Sequence, residues 1–368
     1  MSILVLSSKT GGGHEMRANA LLHFGDLLST KTYIYRPLEN GSSFYNFGTN
    51  LYNFIQKTYP GAHALYFKFL EKASLHRRSN QILGRDKYLR LVYGLQPKLI
   101  ISVHAHLNHG YFDLVKHSVR GKKTKFLIYC GELADGVGFS RHWVNPNVDA
   151  FWGPTKESIN AAILRGMPKN KCTVVGPLLR SDFYKNVKNS DREAFHKMCN
   201  LDKNQTYGVL ATGANGANSH LAALKSLKKA GCNIKIIVLC GSSHSLINKV
   251  ISLSDRLGLN VRALTTISAK NMRILLTDCE WVFGRPGAGL TSEAISLGTR
   301  LYFDVSKGIM PQEHNNLNFL RSNGFRVVLV NRISDLGYKL NLIKEVNGLK
   351  LVPNKLKIMN GLGKMLRL

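Results

Sequence analysis

The chain contains no CxxC pair. Its six cysteines, Cys130, Cys172, Cys199, Cys232, Cys240 and Cys279, are scattered, which argues against a zinc ribbon and against a dense disulfide framework. A reducing, cytoplasmic setting is the expectation. No charge-free apolar run reaches the ~18 residues that a membrane-spanning helix needs. The opening apolar segment Ser2–Leu6 is too short for a signal peptide and has no basic residues before it. Any membrane contact is therefore expected to be peripheral. Acidic residues are scarce, 22 Asp plus Glu against 51 Lys plus Arg, which leaves a formal charge of +29 on 368 residues. That balance favours anionic partners: nucleotide phosphates, nucleic acid or an acidic lipid surface. An RNP1 sequence, a KH loop and a basic readout helix are all missing, so no specific nucleic acid is expected.

What remains is a globular composition, 44% apolar, long enough for two domains. Short apolar runs recur ahead of helix-like segments: Ile3–Leu6, Leu99–Val103, Phe126–Tyr129, Tyr207–Leu210, Ile234–Leu239 and Trp281–Phe283. Such alternation predicts α/β architecture with parallel sheets. It restarts near Tyr207 after a polar stretch, Ser181–Gln205, so the domains are drawn as 1–182 and 183–345, followed by a basic tail, 346–368. In sheets of this kind ligands bind beyond the carboxyl ends of the strands, where the turns lie.

Three turns carry chemistry. The first, Ser7-Ser8-Lys9-Thr10-Gly11-Gly12-Gly13-His14, joins a strand to a helix-like segment, Glu15–Leu28. Its glycines permit close backbone approach, and a helix N-terminus offers free N–H groups to negative charge. It is neither a Walker A loop nor a GxGxxG sequence. A second glycine turn, Ala211–Asn218, contains Gly213 and suits a diphosphate nest. The third stretch runs Phe283-Gly284-Arg285-Pro286-Gly287-Ala288-Gly289-Leu290-Thr291-Ser292-Glu293, with Pro311-Gln312-Glu313-His314-Asn315-Asn316 further on. Glu293 stands about one turn into a helix, where a carboxylate can accept hydrogen bonds from two vicinal ribose hydroxyls, while Gln312 and Glu313 supply polar groups for a sugar.

With Ile101-Ser102-Val103-His104 and with Arg180 after Gly176-Pro177, these blocks resemble family 28 glycosyltransferases over roughly residues 3–330. The likeness is to monogalactosyldiacylglycerol synthases and bacterial diacylglycerol glucosyltransferases, and more distantly to MurG. It implies a GT-B fold of two Rossmann-like domains facing an interdomain cleft, a UDP-sugar donor, inversion at the anomeric carbon and a lipid acceptor at the cytoplasmic leaflet. No cofactor is implied. Carried over by position, Gly11, Gly12, Gly13, His14 and His104 fall on the acceptor side. Glu293 matches the ribose-binding carboxylate, Gln312 and Glu313 the pair on the donor sugar, and Asn316 closes that block. Arg180, Gly213 and Arg285, with the turn of Gly287 and Gly289, suit the diphosphate. Glu132 stands where relatives carry aspartate. Thr265-Thr266-Ile267 replaces the segment that often borders the base.

Inverting transfer needs a base for the acceptor hydroxyl, and His14 is the first choice with Glu132 the second. No Asp-x-Asp motif is present to hold a divalent cation, so helix N-termini and arginines are expected to stabilise the leaving diphosphate. His104, His106 and His109 offer three imidazoles to a metal, yet only His104 matches a family position, and no metal site is expected. Between Phe44 and Phe69 lie nine aromatic residues, and Lys57, Lys68, Lys72, Arg77, Arg78, Arg85, Lys87 and Arg90 accompany them against only Glu71 and Asp86. The mixture fits an anionic membrane surface, or else an aromatic core with a solvated basic face. Two other functions stay open: a MurG-like or lipopolysaccharide glycosyltransferase and, from a different class, a basic nucleic-acid-binding protein.

Overall fold

The structure is a computed structural model that describes residues 1–58, 63–73, 76–118, 123–202, 205–211, 219–342 and 349–367. The chain divides into two compact units. The first comprises Met1–Arg180, Met310–Phe319 and Pro353–Leu368, and the second Ser181–Ile309 and Leu320–Val352. The first break falls two residues before the boundary drawn from the sequence. Residues Met310–Phe319, drawn with the second domain, pack within the first unit.

The first unit is built on β1 (Ser2–Leu6), β2 (Lys31–Tyr35), β3 (Leu99–Ser102), β4 (Lys125–Tyr129), β5 (Ala150–Gly153) and β6 (Cys172–Val174). They form one sheet in the order β2-β1-β3-β4-β5-β6, with every pair parallel. Parallel strands need crossover helices, which cover both faces of the sheet, so its inner strands are apolar throughout rather than alternating. Leu4, Ile100, Phe126, Ile128 and Phe151 accordingly share one core with Tyr88, Tyr111 and Trp143. Each such large side chain, fully buried, contributes about 1.5–3 kcal/mol. Strand order reverses between β1 and β3, whose register pairs Leu6 with Ser102. This switch point sets the turn after β1 beside Val103 and His104, since crossovers leave on opposite faces there and open a crevice.

The second unit carries β7 (Tyr207–Ala211), β8 (Lys235–Leu239), β9 (Val261–Leu264), β10 (Trp281–Gly284), β11 (Leu301–Asp304) and β12 (Val327–Val330). Their order, β12-β11-β10-β7-β8-β9, is again wholly parallel. Its switch point lies between β10 and β7, so the turn at Arg285–Gly287 and the carboxyl end of β7 at Ala211 flank the same crevice of this sheet. The core gathers Leu210, Leu224, Ile236, Val238, Trp281, Phe283 and Tyr302. Among the described residues no helix is long and apolar enough to cross a membrane.

Candidate functional site

In the first unit the chain leaves β1 through Gly11, whose φ of 73° lies in the left-handed region that favours glycine, and enters the helix Gly12–Leu27. Gly12, Gly13 and His14 form its first turn. The Nδ1 of His14 lies 2.7 Å from the carbonyl oxygen of Val103. Since a carbonyl only accepts, Nδ1 carries the proton and the Nε2 lone pair is left bare. Burial, reinforced by the Arg17 guanidinium, lowers the His14 pKa to about 3, so the ring is neutral at physiological pH.

His104 belongs to the same cluster, its ring centroid 4.5 Å from that of His14. Its Nδ1 accepts the His106 N–H at 3.3 Å, so Nε2 donates to Thr10 Oγ1 at 3.0 Å. From Thr10 the chain of bonds runs to Ser8 Oγ at 3.0 Å and on to Glu39 Oε1 at 2.8 Å. Glu39 also accepts the Lys9 N–H at 2.6 Å. Asn53 brackets the turn, accepting the Gly11 N–H at 3.3 Å and donating to the Lys9 carbonyl at 3.2 Å.

Glu132 follows β4 and is partly buried. Burial raises its carboxyl to about 7, against the opposing pull of Arg17 and of the Trp143 indole N–H, which reaches Oε1 at 3.4 Å. Arg17 and Trp143 are therefore shared by His14 and Glu132, for the Trp143 ring also lies 6.4 Å from His14. Arg17 is buried and donates to the Gly131 carbonyl at 2.8 Å. A Cβ at Gly131 would stand 2.0 Å from the guanidinium carbon, so a side chain there would displace Arg17 from its present place. Sequence reasoning missed Arg17, Trp143, Glu39 and Asn53. The one available signal was the placement of Arg17 one helical turn after Gly13.

The histidines expected as a possible trio form part of a longer chain of rings. His104 meets His106 at 5.6 Å, His106 meets His76 at 5.8 Å and His142 at 4.8 Å, and His142 meets His109 at 6.3 Å. Among the described residues no group of three or more His, Cys, Asp or Glu side chains is arranged to hold a metal ion.

In the second unit Gly287 caps the helix Ala288–Leu297, in which Glu293 is buried. A Cβ at Gly287 or Gly289 would meet nothing within 4 Å, so packing does not require either glycine and both leave room at this helix N-terminus. Arg285, buried just before it, donates to the Gly308 carbonyl at 2.8 Å. Gly213 lies outside the described residues. Beyond it Ser219 donates to Asp304 at the end of β11, whose other oxygen accepts the Ser306 N–H at 3.0 Å. Asp304 thus ties down the start of the helix His220–Lys229, a role the sequence did not suggest.

The polar block Gln312, Glu313 and Asn316 opens the helix Pro311–Ser322 and belongs to the first unit. Glu313 accepts the Met310 N–H at 2.9 Å, and Asn315 Oδ1 accepts the Gly138 N–H at 3.2 Å. Gln312 Oε1 and Asn315 Nδ2 are buried with no hydrogen-bond partner among the described residues. Arg180, the last residue of the first unit's opening segment, follows a turn held by Tyr129, whose hydroxyl accepts the Leu178 N–H at 2.9 Å and donates to the Gly176 carbonyl at 3.1 Å.

No family model matches the chain. It is 24% identical over 344 residues to monogalactosyldiacylglycerol synthase 3 of Arabidopsis thaliana, covering 88% of this chain and 70% of that protein. It is 23% identical over 347 residues to a probable monogalactosyldiacylglycerol synthase of Glycine max, covering 88% and 61%. The chain therefore spans between three fifths and seven tenths of the length of these relatives. Among solved structures, MurG of Acinetobacter baumannii superposes with a TM-score of 0.58 at 12% identity, over 99% of this chain and all of that one. The UDP-GlcNAc 2-epimerase of Neisseria meningitidis, bound to UDP-GlcNAc, gives 0.59 at 13%, over 99% and 100%. Anabaena HepE in complex with UDP gives 0.51 at 13%, over 99% and 100%. The two parallel six-stranded sheets match the GT-B fold, and in sequence the chain is similar to the monogalactosyldiacylglycerol synthases.

Proposed function

We propose that the protein is an inverting, metal-independent glycosyltransferase that moves a hexose from a UDP-sugar to a diacylglycerol-type lipid, working peripherally on the cytoplasmic face of the membrane. The fold is shared by an epimerase, so fold alone does not select transfer; the sequence relatives do. The observation that carries the reading is the acceptor-side pair: a neutral His14 whose Nδ1 is committed to Val103, beside a Glu132 carboxyl raised to about 7.

In this reading the acceptor oxygen bonds to the anomeric carbon as the bond from that carbon to the diphosphate breaks, releasing UDP, and the hydroxyl proton passes to the protein. A base works best when its pKa lies near the working pH, which Glu132 meets and His14 does not. We therefore give the proton to Glu132, with His14, His104 and Gly11–Gly13 shaping the acceptor side. Glu293 holds the ribose hydroxyls, and Gln312, Glu313 and Asn316 the sugar. Arg180, Arg285, Gly213 and the helix N-terminus at Gly287 and Gly289 receive the diphosphate in place of a metal.

The lipid surface is supported by the helix Ser43–Thr58, on which Phe44, Phe47 and Phe54 are exposed by 64%, 66% and 59%, in a basic neighbourhood. Incubating the purified protein with a panel of UDP-sugars and a total membrane lipid extract, with products identified by mass, tests the whole proposal. A hexosyl-diacylglycerol is expected. A product on a polyprenyl lipid would move the acceptor to the MurG type, and an epimerised UDP-sugar without transfer would refute the reading.

A further inference from the structure

The helix Ser43–Thr58 has two faces that do different things. Phe44, Phe47, Leu51 and Phe54 follow one another at three- and four-residue steps and are all exposed, so they form one apolar stripe. On the rest of its circumference Tyr45 is buried against His76, with ring centroids 4.5 Å apart, and Thr49 is buried. There too the Asn53 amide brackets the turn before His14, accepting the Gly11 N–H and donating to the Lys9 carbonyl at 3.3 and 3.2 Å. Glu39 holds the same turn at Ser8 and Lys9, but from outside this helix. Asn53 is thus the side chain that joins the stripe-bearing helix to the glycine turn by paired hydrogen bonds.

The occupant of the stripe is taken to be an anionic bilayer, because Lys68, Lys72, Arg77, Arg78, Arg85, Lys87 and Arg90 crowd the following sequence and the chain as a whole carries +29. We propose that Asn53 is a positioning residue that couples the seating of this stripe on an anionic bilayer to the order of the Lys9–Gly11 turn, so that turnover depends on the membrane through it. The proposal rests on the lipid-surface reading above. The physical logic is that in water the helix is held only on its buried face, whereas insertion of the stripe holds it on the opposite face as well and so favours one depth and rotation. Both hydrogen bonds of Asn53 run to backbone atoms that immediately precede the helix of His14. A ligand shifts such an equilibrium only by its differential interaction with the two states, and here the bilayer sees the stripe while the turn sees Asn53. Two neutral hydrogen bonds limit the coupling to about a 5- to 150-fold gain in turnover.

The test uses the full chain with UDP-galactose or UDP-glucose and dispersed dioctanoylglycerol, with and without phosphatidylglycerol–phosphatidylcholine vesicles that contain no acceptor. Wild type should sediment with the vesicles and gain kcat on them. Asn53→Ala should sediment equally well, keep its KM for the UDP-sugar and lose the gain. Asn53→Asp, which keeps the acceptor for the Gly11 N–H, should keep part of it. In parallel, hydrogen exchange in the wild-type segment 7–16 should slow when vesicles are added, a readout that needs neither turnover nor a folded variant. Full vesicle stimulation of a vesicle-bound Asn53→Ala protein, or unchanged exchange in segment 7–16 of vesicle-bound wild type, overturns the coupling while leaving the lipid-surface reading intact. Failure of wild type to sediment with the vesicles removes the surface itself and the coupling with it.

Discussion

Acid should unfold the first unit over a narrow pH range, because its linked rings must be neutral to stay buried. Burial lowers His76 to about 4 and His14 and His109 to about 3, and holds His104 and His106 well below the usual imidazole value. The charges facing the cluster act mostly in the same direction: Arg17 on His14, and Arg77 and Arg141 on His109 and His142. Glu71 alone opposes, at His142, and that ring is left out of the sum. Each remaining folded pKa lies below the unfolded value of 6.5, so stability is full above 6.5 and is lost as the pH falls from there toward 3–4, while only the unfolded chain takes up protons. At about pH 5.5 five rings bind roughly 4.5 more protons unfolded than folded, a slope of at most ~6 kcal/mol per pH unit. Halving this because several rings keep some solvent contact leaves ~3 kcal/mol per unit, against a typical domain stability of ~5–15 kcal/mol. Urea titrations followed by near-ultraviolet circular dichroism at a series of pH values from about 7.5 to 5 would measure the slope. His76→Gln should lower it by up to ~1.4 kcal/mol per unit, the share of one proton. A free energy of unfolding that stays flat between about pH 7 and 5 would show that the rings protonate in place and refute the reasoning.

Six of the twelve strands among the described residues were legible in the sequence, and they share one property. The runs behind β1, β3, β4, β7, β8 and β10 lie inside parallel sheets, where burial on both faces gives an unbroken apolar signature. The strands β2, β6, β9 and β12 lie at sheet edges; Lys31, Thr173 and Arg262 break the pattern in the first three, whereas β12 is apolar throughout. The inner strands β5 and β11 are four residues long and fully buried, as are β3 and β10, so neither length nor burial accounts for their being missed. The glycine turns were visible because close backbone approach restricts residue type locally. Their supports were not: Glu39, Asn53, Arg17 and Trp143 reach the turn or Glu132 from other elements, and no local pattern encodes a tertiary approach. Nor can sequence order show that Gln312 to Asn316 pack with the Gly136–Gly138 loop rather than with the strands that flank them in the chain. That follows from Asn315 filling the space a Cβ at Gly136 would need.

Three further outcomes are expected. Glu293→Ala should weaken UDP binding by about 1.5–3 kcal/mol in calorimetry without loss of fold, the range for hydrogen bonds to a charged group, and unchanged affinity would reject its role at the ribose. Activity should survive EDTA, and abolition reversed by magnesium would contradict the metal-free account of the diphosphate. The third outcome separates the two acceptor-side bases by their acidity. A base must be ionised to accept a proton, so with Glu132 in that role kcat should rise through a midpoint near pH 7, the value to which burial brings its carboxyl. His14, held at about 3, would give no limb in this range. Glu132→Gln should abolish the limb and cost about 10²–10⁴-fold in kcat at saturating UDP-sugar. Trp143→Phe keeps an aromatic ring but deletes the N–H that reaches Oε1. Because that bond favours the charged carboxylate, its loss should move the limb upward by about 0.4–1 pH unit, the equivalent of ~0.5–1.5 kcal/mol. A limb that stays in place in Trp143→Phe would mean the indole does not hold the carboxylate. A flat wild-type profile, with the whole loss falling on His14→Ala, would transfer the base to His14.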